Sequence, residues 1–123
     1  MKKLQTNFYI FFFMSLGWLF VIFYSLFYYS PNSSLNVFKY FDKIIHFFLF
    51  FVQTLLILKT FLLYGSNLNS KFMLTIVFFI NLFALSTEIY QSILPIRKFD
   101  FFDFLTDFLG TTTALFYIKY FYK

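Results

Sequence analysis

The chemistry-bearing residues of this chain fall into two short clusters whose spacing reads Asp42-Lys43-x-x-His46, then Glu88-x-x-Gln91-x-x-x-Pro95-x-Arg97-x5-Asp103-x3-Asp107-x-x-Gly110. They include its single histidine, its single arginine and, with Asp100, all five of its acids. Carboxyl groups beside an imidazole are the equipment of general acid and base chemistry. A guanidinium and an ammonium are the equipment for holding an anion, because the planar Arg fork grips a carboxylate or phosphate with two parallel hydrogen bonds. His46, Glu88 and Asp103 are therefore the candidate acid/base groups. Asp42, Lys43, Gln91, Arg97 and Asp107 are the candidate ligand contacts.

The elements that must position these residues are apolar. Of the 123 residues 61% are hydrophobic and 12% charged, too greasy a balance for a soluble domain of this length to cover its own surface. Four hydrophobic runs, over about 8–29, 44–64, 72–94 and 101–122, are each long enough to cross a hydrocarbon layer of about 30 Å. Short breaks rich in Gly, Pro, Asn and Ser separate them, which forces neighbours to run antiparallel. The expected architecture is an all-α integral membrane four-helix bundle, one domain over 1–123. The segment from Ser33 through Phe41 is expected to add a short interfacial helix, and the first run to stay as an anchor rather than a cleaved leader.

The charges divide by side. Lys2, Lys3, Lys59, Lys71, Lys119 and Lys123 belong to the side of the termini, and every acid belongs to the other, with Lys39, Lys43, Arg97 and Lys98. The excess of lysine places both termini in the cytoplasm and the polar layer outside. The net charge of +5 is read as orientation rather than nucleic-acid binding. With no cysteine, thiolate chemistry and Cys-type metal sites are excluded, and the lone histidine with scattered acids makes no convincing metal cluster; no cofactor is expected. The 25 Phe and 10 Tyr are read as lipid-facing filler.

Individual positions carry alternatives. Asp42 can cap the second helix or serve the site, and it shares a face with His46 four residues on. Glu88 lies seven residues before the helix-breaking Pro95, about 10 Å deep, so it must face the bundle interior and a partner. Asp100 is most simply a cap. Asp103, Asp107, Gly110 and Ala114 continue its stripe down the fourth helix, and one of the two deeper acids must hold a proton or pair with Lys43, His46 or Arg97. Lys98 is read as snorkelling to the interface, and the hydroxyls of Ser86, Thr87 and Ser92 as bonded to backbone carbonyls.

This ordered set of residues, from Asp42-Lys43 and His46 through Glu88, Gln91, Pro95 and Arg97 to Asp103 and Gly110, resembles the VanZ-like family of small bacterial membrane proteins. The chain departs from that family at Asp107, where Asn is usual, and at Thr113 and Ala114, where a second Gly often follows. The resemblance implies a multi-pass protein of the bacterial inner (cytoplasmic) membrane, with a link to glycopeptide (teicoplanin) resistance. The leading expectation is an outward-facing polar pocket for an anionic or lipid-linked ligand, the partner being a membrane lipid or lipid-linked envelope precursor. A non-enzymatic membrane scaffold, an acid/base enzyme acting on a lipid head group and a proton or ion relay are the alternatives.

Overall fold

The computed structural model describes residues 2–28, 38–65, 68–95 and 98–122, with side chains from residue 5 in the first stretch and residue 40 in the second. Among them lie four helices and no strand: α1 (Lys2–Phe27), α2 (Phe38–Leu63), α3 (Ser70–Ile93) and α4 (Phe101–Phe121). Three contain spans apolar and long enough to cross a membrane: Gln5–Phe27, Tyr40–Leu63 and Ser70–Ile93. The fourth has 21 residues, about 30 Å of rise, but Asp103, Asp107 and its threonines lower its hydropathy.

Two helices begin earlier than their apolar runs. Backbone hydrogen bonding continues into polar residues where hydrophobicity stops, so α1 starts at Lys2 rather than near residue 8, and α2 at Phe38 rather than residue 44. Residues 38–41 of the expected interfacial helix are the first turn of α2, and its earlier part, with Ser33, lies outside the described residues. Asp42 consequently sits in the second turn of α2, which removes the capping role considered for it.

The other ends follow local chemistry. Gly65, at φ 85°, takes the left-handed conformation that closes α2, its N–H reaching the Leu62 carbonyl at 3.2 Å. Asn69 caps α3 by accepting from the Phe72 N–H at 2.7 Å. Leu94 is extended (φ −74°, ψ 137°), as the ring of Pro95 requires of the residue before it, and α3 stops there. Asp100 caps α4, accepting from the Phe102 N–H at 2.9 Å.

Contacts between helices fix the alternating direction of the chain. Phe8 near the start of α1 packs against Tyr64 just beyond α2, whereas Gln91 late in α3 donates to the Leu26 carbonyl late in α1 at 2.7 Å. Lys43 and Asp103 join the beginnings of α2 and α4. Ile22, Leu26, Leu49, Phe50, Ile80 and Ala84 make the main core, with a smaller one around Leu58, Met73 and Ile118. Large side chains on the outer faces, such as Phe13, Phe20, Phe78, Phe102 and Phe121, are exposed, as lipid permits and water does not.

Because lipid tails are as apolar as the helices, hydrophobicity alone does not drive the helices together; close packing and polar contacts do. Trp18 donates to the Leu49 carbonyl at 2.9 Å, Gln53 to Ser15 at 3.0 Å, and Asn81 to Thr111 at 3.0 Å. Two helices approach closely at Gly110, where an added Cβ would collide with the Phe47 carbonyl oxygen and stand 3.1 Å from the Phe51 nitrogen. Since the obstacle is helix backbone, Gly110→Ala is expected to lower the unfolding free energy by about 1–3 kcal/mol, read by reversible denaturation in mixed micelles. Gly17→Ala, with nothing within 4 Å of the added carbon, is the neutral comparison.

Candidate functional site

The close crossing of α2 and α4 carries their acidic and basic ends into one layer. Lys43, in the second turn of α2, donates to Asp100 at 2.9 Å and to Asp103 at 2.7 Å. Its side chain keeps 18% of its exposure and Asp103 keeps 11%, so this bridge stands at the rim, partly in contact with the surroundings. One turn deeper, His46 and Asp107 are both fully buried, with Nδ1 and Oδ1 3.0 Å apart. Glu88, 1% exposed, approaches from the end of α3 and places Oε1 3.8 Å from the same Nδ1.

His46, Glu88 and Asp107 thus present polar atoms within 4.8 Å of one another from three helices, and Asp42, His46 and Asp103 form a second such group sharing the ring. Burial of two carboxyl groups and an imidazole in a bilayer is costly unless protons or partners neutralise them. The partners are incomplete. His46 Nε2, Glu88 Oε1 and Asp107 Oδ2 are buried without any hydrogen bond.

The geometry permits specific chemistry. A hydrogen bond between Asp107 and Nδ1 fixes the ring's orientation, and with the proton on Nδ1 the free Nε2 presents a lone pair able to take one up. Glu88 beside the same ring is a second proton carrier within one side-chain movement. The two deep acids of α4 are handled separately, Asp103 by Lys43 and Asp107 by His46, so each has its own partner.

Other expected site residues lie differently. Gln91 is buried but spends its amide on the Leu26 carbonyl, tying α3 to α1, and so is placed as a fastener of the fold. Arg97 lies outside the described residues. Lys98 is exposed. Ser86, Thr87 and Ser92 donate to the carbonyls of Phe83, Ala84 and Ile89 at 2.6–2.7 Å, which leaves none of them beside a base as a nucleophile.

Sequence reasoning passed over two features. The bonded pair Asn81–Thr111 had a legible signal, an amide and a hydroxyl on inward stripes of two apolar helices. The second is a crevice of about 1060 Å³ between the later halves of α1 and α3, walled by Phe20, Phe23, Tyr24, Phe27, Phe83 and Tyr90 and touched by Thr87, the neighbour of Glu88. Some of the aromatic residues read as filler therefore shape a concave surface.

Comparison with protein-family models, curated proteins and solved structures gives no match. The likeness to the VanZ-like family rests on the spaced residues alone.

If Gln91 is a fastener, Gln91→Leu should cost about 1 kcal/mol of stability by losing one hydrogen bond. Any ligand affinity of the purified, folded variant should stay within about twofold of the parent. A larger loss of affinity at unchanged stability would move Gln91 into the site.

Proposed function

We propose that this chain is a VanZ-like multi-pass protein of the bacterial cytoplasmic membrane whose outward polar layer engages an anionic, lipid-linked molecule of the cell envelope. The observation that carries the reading is the set of three unpartnered polar atoms on His46, Glu88 and Asp107. A bundle held together for its own sake gains nothing by bringing His46, Glu88 and Asp107 from three helices to one point and leaving a buried polar atom of each unsatisfied.

In this reading the two tiers of the layer have different work. At the rim Lys43 holds its ammonium between Asp100 and Asp103, partly open to the surroundings, and an arriving phosphate or carboxylate exchanges with those acids for the same charge. Arg97 and Lys98 stand nearest in sequence to assist. Beneath, His46, oriented by Asp107 and flanked by Glu88, moves a proton to or from the bound head group. The aromatic crevice between α1 and α3 fits the hydrocarbon chain of such a molecule, because its wall reaches Thr87, next to Glu88. A link to teicoplanin resistance belongs to the same proposal, since a protein holding lipid-linked precursor alters what a glycopeptide meets at the cell surface.

The acid/base form of this reading is favoured over plain scaffolding by the same orphaned atoms. Lipid extracted from the purified protein tests it. The unaltered chain should carry an enriched anionic lipid-linked species, and Lys43→Gln and His46→Gln should each weaken its retention roughly tenfold or more, the effect of losing one cationic, charge-assisted contact. Membrane abundance of the variants is measured alongside. Equal retention by all three proteins, or a fall in retention that only follows a fall in abundance, sinks the proposal.

A further inference from the structure

We infer that His46, Glu88 and Asp107 form a binding site for one divalent transition-metal ion of the zinc class. The inference deepens the reading of this triad as the working site and rests on it.

The donor set is one imidazole and two carboxylates, the mixture that suits zinc, cobalt, manganese and ferrous iron better than magnesium, which prefers an all-oxygen shell rich in water. Donors about 2.0–2.2 Å from one ion stand roughly 3.0–3.6 Å from each other. His46 Nδ1 lies 3.0 Å from Asp107 Oδ1 and 3.8 Å from Glu88 Oε1, so small side-chain rotations bring all three onto one centre, the ion replacing the proton that Nδ1 shares with Asp107 in the metal-free site and the ring keeping its own proton on Nε2. Three helices supply the donors, which fixes their directions against backbone that is already packed, α2 on α4 across Gly110 above all.

Unpartnered buried donors point to an ion rather than to a cluster satisfied by itself. Glu88 Oε1 and Asp107 Oδ2 are carboxylate oxygens with no hydrogen bond, on residues 1% and 0% exposed. A divalent cation beside Nδ1 gives Glu88 Oε1 a partner, and Asp107 Oδ2 as well when Asp107 chelates through both oxygens; with both carboxylates ionised and the ring neutral, it brings the triad to no net charge, the state a hydrocarbon environment favours. Asp42 and Asp103 complete the surroundings, their carboxylate oxygens grouping with the same ring within 4.8 Å. Asp103, held by Lys43 at 2.7 Å, is placed to support the site from outside. Three protein donors leave the fourth position of a tetrahedral ion open for water or for an oxygen of the head group.

The test uses the full chain, purified in detergent without a histidine tag and stripped with a chelator. Titration with cobalt(II) should produce visible d–d absorption that saturates at about one ion per chain and is displaced by zinc, but not by a large excess of magnesium. Zinc should raise the melting temperature of the same protein. His46→Gln and Glu88→Gln should abolish the saturable absorption. Asp103→Asn should weaken cobalt binding roughly 10–100-fold, as outer-sphere changes do. Lys59→Gln, at the opposite end beside Tyr122, should match the parent.

Because a triad variant can simply fail to fold, the unaltered chain decides first. No saturable absorption and no shift in melting with zinc overturn the inference and leave a cluster neutralised by protons. Saturable binding that survives both triad replacements overturns it too, by placing the ion elsewhere. Lipid retention separates this from the parent reading. If metal binding fails while Lys43→Gln still loses the lipid, the metal site alone falls; if metal binds and lipid retention is indifferent to Lys43, the ion stands and the function proposed above falls.

Discussion

Hydrocarbon offers a buried charge no partner, and the upper half of this bundle is arranged around that constraint. Six residues that water would solvate separately, Asp42, Lys43, His46, Glu88, Asp103 and Asp107, lie on three helices that must be adjacent for any of them to be tolerated. The bridge from Lys43 to Asp100 and Asp103 and the pair His46–Asp107 both join α2 to α4. Two tiers of polar contact, one turn apart, set the register of those helices more narrowly than apolar packing can. Gly110 lets the backbones come close enough for the deeper tier to close, so helix packing and site geometry are one requirement.

The rest of the molecule serves that pair. Helix α3 brings Glu88 to the ring and is held on one side by Asn81–Thr111 to α4 and on the other by Gln91 to the end of α1. Helix α1 contributes no ionisable group to the layer, but Trp18 and Ser15 bond to α2 and its later half shapes the aromatic crevice. Function and support are thus divided by depth. The ionisable groups collect at one end, and neutral amide, indole and hydroxyl contacts carry the middle.

Much of this was legible in the chain because a bilayer makes polarity rare and therefore informative. The alternating helices followed from four long apolar runs with short polar breaks, and the cap at Asp100 and the stop before Pro95 are local chemistry. The partnership of Asp103 and Asp107 with Lys43 and His46 was among the expected outcomes, since two acids one turn apart cannot share a buried face unaided. Hydropathy could not give the helix starts, because backbone hydrogen bonding runs past the last apolar residue, and so Asp42 moved from a cap to the second turn of α2. Gln91 was read by its neighbour Glu88, yet the two point to different partners: three residues are not a full turn, and the rotation carries one toward α2 and the other toward α1. The grouping of His46 with Glu88 and Asp107 into a set of possible metal donors depends on three helices meeting, which no spacing along the chain encodes.

The central claim is that a buried imidazole is held against a carboxylate inside a membrane-embedded bundle. The chain has a single histidine, so labelling all histidine with ¹⁵N and aspartate with ¹³C at the carboxyl reports on one ring alone. Solid-state NMR of the chelator-treated, metal-free protein in bilayers should then show Nδ1 coupled to one aspartate carboxyl carbon at the distance of a direct hydrogen bond, about 3 Å from nitrogen to oxygen, with Asp107→Leu removing the coupling. The ring should also be shielded from water. A ring without that coupling, in rapid contact with solvent, would contradict the account at its base.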